Sequence, residues 1–239
     1  MDPLILLDGG LATALQAVGL PPFTPVEPWL VAHPDRIRAA HTAFRGAGSA
    51  VLLTATFRCL PSERPDWRSL VDVAIPLARS AADGADVWLS LGPGEGHAEV
   101  VTHVLAGGES IDGLCLETFV DSAEALRTLK SVRSVYEGAV VVSLVPGPDG
   151  QPLGGGDFTE AALQLVGAGA TGVGVNCASG PACIAAVTRI PDGVPVWAKP
   201  SGDALQAEAF RMLAPRVRWL GGCCGTSPRH IRQLAIGGP

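Results

Sequence analysis

Lysine is nearly missing from this chain: of its 17 basic residues only Lys130 and Lys199 are lysines, and the rest are arginines. Basic residues nowhere form a run, and the 239 residues carry a net charge of −6. A surface of that sign without a basic stripe repels a phosphate backbone, so nucleic acid is not an expected partner. Charge of either sign is scarce, at 17%, whereas hydrophobic residues reach 47%. That balance excludes a disordered chain and suits one large buried core. No apolar stretch approaches the roughly 18 residues of a membrane-spanning helix. The start, Met1-Asp2-Pro3, has no basic segment, and the apolar run behind it is only Leu4 to Leu7. No secretory leader is expected, so the chain reads as cytoplasmic, without a membrane partner. Repeats and linkers are also absent, and residues 1–239 read as one domain.

What is present is a rhythm. Eight short apolar runs occur: Leu4–Leu7, Ala50–Thr54, Val87–Leu91, Gly113–Leu116, Ala139–Leu144, Gly172–Val175, Val194–Ala198 and Val217–Leu220. Most lack strict alternation, as expected of parallel strands buried on both faces. Helical stretches separate them. His33-Pro34-Asp35 leads into a helix over Arg36–Arg45, stopped by Gly46 and Gly48. Asp121 opens a helix over Ala125–Tyr136, and Asp157 or Thr159 caps one over Glu160–Val166. Ser227-Pro228 starts the last, through Leu234. Eight such units predict a closed (β/α)8 TIM barrel, with a doubly wound open sheet as the alternative.

The reactive residues fall just after these strands. Asp8-Gly9-Gly10 follows the first, Thr54 ends the second, and Glu117-Thr118 follows the fourth. Asn176-Cys177 follows the sixth, Lys199 the seventh, and Gly221-Gly222-Cys223-Cys224-Gly225-Thr226 the eighth. In a barrel all these ends point to the one face that carries active sites. Cys177, Cys223 and Cys224 could thus meet as three thiolates of an open metal site. Glycines around the last pair free the backbone to aim both sulfurs at one point. Buried apolar packing suits Cys59, Cys115 and Cys183 better; a disulfide between adjacent cysteines is strained. Asp8 and Glu117 could bind a substrate ammonium, although Asp8 also stands where a helix cap would. Lys199 could form a Schiff base, but an ion pair is the commoner use of such a lysine. The five histidines (His33, His41, His97, His103 and His230) share no ligand spacing and read as surface or cap residues. Phe23, Trp29, Phe57 and Phe119 could contact an onium group, with core or rim packing as the plainer use. Gly154-Gly155-Gly156 lacks the Lys-Ser/Thr of a phosphate loop.

These motifs, in this order and over the whole length, resemble the homocysteine S-methyltransferase family. The resemblance rests on Asp8-Gly9-Gly10, Thr54-Ala55-Thr56-Phe57, Glu117-Thr118, Gly174-Val175-Asn176-Cys177 and the Gly221–Thr226 turn. His33-Pro34-Asp35, His41 and the closing Pro228-Arg229-His230-Ile231 fit it too. It implies a (β/α)8 barrel holding one catalytic Zn2+ on Cys177, Cys223 and Cys224. It implies that Asp8, Thr54 and Glu117, with backbone near Gly9 and Gly10, hold homocysteine. The implied reaction moves a methyl group from a small donor, with S-methylmethionine or S-adenosylmethionine favoured, to a zinc-bound thiolate, giving methionine. Ala55 stands where many relatives carry Asn, and the loops after the second and third strands are short. A zinc- or thiol-binding barrel without a donor site, and a Lys199 aldolase-like barrel, are the other readings.

Overall fold

The computed structural model describes residues 3–202 and 206–237; Met1 and Asp2, part of the segment read above for a leader, lie outside them. Eight strands form one parallel sheet: β1 (Ile5–Leu6), β2 (Val51–Leu53), β3 (Asp86–Leu91), β4 (Gly113–Phe119), β5 (Val140–Leu144), β6 (Gly172–Asn176), β7 (Val196–Lys199) and β8 (Trp219–Leu220). Strand β1 pairs with β8, in register Ile5 with Trp219. On its other side it meets β2 through a parallel bridge between Leu7 and Val51, and the Ala50 N–H donates to the Leu6 carbonyl at 2.7 Å. The sheet therefore closes on itself, which rules out the open doubly wound alternative. No helix is long and apolar enough to cross a membrane among the described residues.

Helices cover the barrel's outside. Asp121 caps the helix Ser122–Arg133 by accepting from the Ala123 N–H at 2.8 Å, and Asp157 caps Phe158–Gly167 by accepting from the Glu160 N–H at 2.9 Å. The first of these stops three residues short of the expected Tyr136. Its last residue, Arg133, donates to the carbonyls of Tyr136 (3.0 Å), Gly138 (2.6 Å) and Gly169 (2.9 Å), and so folds the chain back toward β5.

The barrel interior is layered by the two-residue period of the strands. Its lower layer is apolar. Trp88 stacks on Trp197 with ring centroids 5.4 Å apart, Trp219 meets both at 6.1 Å, and Leu53, Cys115 and Val141 pack around them. Three indoles fit because glycines face them. A Cβ on Gly172 would lie 2.9 Å from the Trp219 ring, one on Gly174 would lie 2.8 Å from Trp197 Cβ, and one on Gly113 would collide with Trp88. Two residues further along, the same strands present Ser90, Glu117, Ser143, Asn176 and Lys199, all buried. A tryptophan floor thus lies beneath a polar layer that opens at the mouth.

Candidate metal centre

Each site residue is delivered by a strand end, and two of these ends are irregular. Between Leu116 and Phe119 the β4–β5 pairing slips, and Thr118 takes the left-handed φ of 70°. Such irregularities re-aim side chains, and here the slip flanks Glu117. At the end of β6 Cys177 also has positive φ, 58°. A non-glycine residue there is uncommon and strained by about 1 kcal/mol or more.

The last turn is built by close backbone approach. The Gly222 N–H donates to the Asp8 carbonyl at 3.1 Å, and the Gly10 N–H to the Thr226 carbonyl at 3.0 Å. The Cys223 N–H donates to the Pro200 carbonyl at 2.9 Å, and the Gly225 N–H to Thr13 Oγ1 at 2.9 Å. A Cβ on Gly10 would lie 2.6 Å from the Cys223 carbonyl oxygen, and one on Gly222 would collide with the Thr226 side chain. Gly225 has φ of 80°, and its Cβ would lie 2.6 Å from the Gly202 oxygen. Thus the Gly9-Gly10 and Gly221-Gly222 pairs interlock the first and last loops.

This packing gathers three sulfurs. The Sγ atoms of Cys177, Cys223 and Cys224 lie within 4.8 Å of one another, with Cys177 and Cys224 at 3.9 Å. Tetrahedral metal–sulfur bonds of about 2.3 Å place two sulfurs about 3.8 Å apart. The spacing therefore fits a shared metal ion. Cys177 and Cys223 are half-buried and Cys224 is exposed, so the trio opens to the mouth. Hydrogen bonds from Cys177 and then Cys223 hold the Cys224 thiol far below the ordinary thiol range. The remaining cysteines, Cys59, Cys115 and Cys183, are wholly buried, as apolar packing requires.

Beside the sulfurs lies a polar network. Glu117 Oε1 accepts from the Ser90 hydroxyl at 2.5 Å, and Oε2 accepts from Asn176 Nδ2 at 3.1 Å. Asn176 Oδ1 accepts from the Thr118 N–H (3.0 Å) and the Ser143 hydroxyl (2.7 Å). Burial raises the Glu117 carboxyl pKa, against the opposing pull of Lys199. Thr54 Oγ1 lies 2.6 Å from Thr56 Oγ1 and accepts from the Ser90 N–H at 3.1 Å. Asp8 does not cap a helix: the helix Leu11–Gln16 begins after Gly10 with no side-chain cap. Instead Asp8 Oδ2 accepts from the Leu53 N–H at 2.8 Å, and Oδ1 accepts from Lys199 Nζ at 2.7 Å. Burial works against the charge on Lys199, but Asp8 and then Glu117 outweigh it and hold the ammonium above the ordinary lysine range. The free amine that Schiff-base chemistry needs is thus withheld.

Other expectations meet different fates. His41 and His97 are buried, not surface residues. Helix Pro34–Gly46 turns His41 inward together with Ile37 and Phe44, where burial drops its pKa to about 4. His97 holds the Gly92 carbonyl at 2.8 Å. His230 is a local cap, its Nδ1 accepting from the Ser227 N–H at 3.1 Å. Of the four aromatics, Phe119 and Trp29 are core and Phe23 stands fully in solvent. Phe57 is half-buried at the mouth, its ring 2.6 Å from where a Gly92 Cβ would sit. Ser90, Ser143 and Asn176 stand at strand ends, and Asn176 within the motif before Cys177, but the sequence assigns none of them a role in the site. Their signal was available: each lies two residues after an inward-facing lower-layer residue (Trp88, Val141, Gly174).

Fold and site together define a TIM barrel with a thiol-rich, metal-competent centre at its C-terminal mouth. The chain belongs to the homocysteine S-methyltransferase family, whose model matches residues 5–236. It is 26% identical over 296 aligned residues to betaine–homocysteine S-methyltransferase 1 of Xenopus laevis, covering 97% of this chain and 72% of that protein. It is also 26% identical to S-methylmethionine–homocysteine S-methyltransferase BHMT2 of Rattus norvegicus, covering 97% of this chain and 77% of that one. The 296-residue alignment exceeds the 239 residues of the chain, so gaps fall within it, in keeping with short loops here. In fold it is similar to the metallated homocysteine methyltransferase MmuM of Escherichia coli, with a TM-score of 0.85 at 22% identity, covering 99% of this chain and 97% of that one.

Proposed function

We propose that this chain transfers a methyl group from a sulfonium donor, S-methylmethionine or S-adenosylmethionine, to the sulfur of homocysteine, using zinc held by Cys177, Cys223 and Cys224. The observation that carries the reading is the sulfur trio, 3.9 Å between Cys177 and Cys224, opening at a mouth that also holds buried carboxylates. An all-sulfur donor set suits zinc, and three protein ligands leave one position for a substrate. Bound there, zinc would supply the Lewis acidity that keeps an acceptor thiol deprotonated at neutral pH.

The chain's own residues do the rest. Gly9 and Gly10 leave the backbone bare against the last turn. Asp8, Thr54 and Glu117 form the wall on which the amino-acid part of homocysteine lies. During transfer the donor's sulfur–methyl bond breaks as the acceptor's sulfur–methyl bond forms. The electron pair of the broken bond stays on the donor sulfur, which leaves as a neutral thioether, and the acceptor's thiol proton has already passed to solvent. No general acid is needed, in keeping with histidines committed elsewhere. Because the donor's positive charge disappears, a water-poor mouth favours transfer, and alignment of the two sulfurs supplies much of the acceleration. Of the four candidate aromatics Phe57 is the half-buried one at a strand end, which supports a contact of its ring with the onium charge.

A donor panel tests this. Zinc-loaded protein with homocysteine is offered S-methylmethionine, S-adenosylmethionine, betaine or methylcobalamin, and methionine is followed by mass. A sulfonium donor is expected to give methionine. Cys224→Ala is expected to lose stoichiometric zinc and at least about 100-fold in rate. Full activity in that variant overturns the reading; homocysteine binding without turnover on any donor would leave a thiol-binding barrel instead.

A further inference from the structure

The one buried lysine of this arginine-biased chain stands in the polar layer of the barrel. Lys199 is 3% exposed, and its Nζ lies 2.7 Å from Asp8 Oδ1. The charges of Glu117, Cys223 and Cys224 lie within electrostatic reach of it. A lysine places a compact point charge at the end of a thin stem, whereas a guanidinium is planar and broader. The ammonium of Lys199 offsets the charge of Asp8, the acid it touches.

Each acid is also satisfied from within the protein. Asp8 has Lys199 on one oxygen and the Leu53 N–H on the other. Glu117 has the Ser90 hydroxyl on one oxygen and the Asn176 amide on the other. Strong rejection of an analogue that lacks a polar group arises when its absence leaves a buried group of the site unpaired. Here an acceptor without an ammonium leaves neither carboxylate unpaired.

We propose that Lys199 is a built-in counter-ion that takes an acceptor's place on Asp8, so that the site accepts thiol acids lacking an α-amino group as well as homocysteine. This rests on the thiol-acceptor reading above. Lys199 acts through Asp8 and is a positioning residue that widens acceptor specificity.

The test compares homocysteine with its des-amino analogue, 4-sulfanylbutanoic acid, in the zinc-loaded protein. Two readouts are taken: kcat/KM for methylation, and affinity by calorimetry without any donor. The native protein is expected to favour homocysteine by no more than about tenfold. Lys199→Met and Lys199→Gln free Asp8 for the acceptor's ammonium and are expected to raise that preference by about tenfold or more, mainly through KM. Lys199→Arg, where it folds, keeps the native ratio. A merely structural lysine would weaken both thiols equally and leave the ratio alone. A native preference above about 100-fold, or a ratio unchanged in both neutral variants, overturns the proposal. If no donor methylates either thiol, the catalytic reading fails, and the binding ratio still decides the role of Lys199.

Discussion

His41 shows at the scale of one residue how placement sets chemistry. Its ring is fully buried, and neither nitrogen has a hydrogen-bond partner among the described residues. Burial lowers its pKa from 6.5 to about 4, only partly offset by the charge of Asp8. The folded chain therefore keeps His41 neutral where the unfolded chain would take a proton. This contribution to stability is complete above about pH 6.5 and is lost as pH falls from there toward about 4. The gap corresponds to about 3 kcal/mol. Denaturant midpoints measured across this window are expected to fall with pH, and His41→Met is expected to flatten that slope. An equally steep slope in the variant would assign the effect to other groups.

At the scale of elements, the glycines of the last turn let it approach its neighbours closely. Gly222→Ala drives a methyl into Thr226, and Gly225→Ala forces a side chain onto φ of 80° against the Gly202 carbonyl. Each costs about 1–3 kcal/mol locally. The β8 loop is expected to shift, spreading the sulfurs while the barrel stays folded. Metal analysis should find less than stoichiometric zinc, with a circular dichroism spectrum like that of the native protein. Full zinc retention in both variants would show that the turn tolerates the crowding.

The strands themselves were legible, because parallel strands buried on both faces leave long apolar runs and eight of them appear in sequence. Helix starts at Asp121 and Asp157 were legible because a carboxylate just before a helix accepts from the free N–H groups of its first turn. What sequence reasoning lacked was depth. The pairing of Asp8 with Lys199 joins residues 191 positions apart and depends on barrel closure. The inward turn of His41 depends on which stripe of its helix meets the barrel. Trp88, Trp197 and Trp219 read only as strand residues, since nothing local reveals that three strands send them to one centre. The period-two step from each lower-layer residue to Ser90, Glu117, Ser143 or Lys199 was written in the chain. It becomes a layer only once the register between strands is known.

At the scale of the whole molecule, the tryptophan floor is the foundation of the site. Trp197 is wholly buried and stands two residues below Lys199 on β7. Trp197→Ala would open a cavity at the barrel's centre, at a cost of about 3–5 kcal/mol. For a chain of this size the melting temperature is expected to drop by roughly 10 °C. Trp197→Phe should lose much less, and equal losses in the two variants would argue against a volume effect.

The pairing of β1 with β8 has a further consequence for how the protein comes into being. The first loop and the last share one metal-competent turn, held by bonds from Gly10 to Thr226 and from Gly222 to Asp8. As the barrel is synthesised, Asp8 and the glycines beside it precede seven of its eight strands and wait for them. Neither the sulfur trio nor the counter-ion pair can assemble until the final strand docks. Assembly of the sulfur trio is thus a report of ring closure, which a chain lacking β8 cannot give.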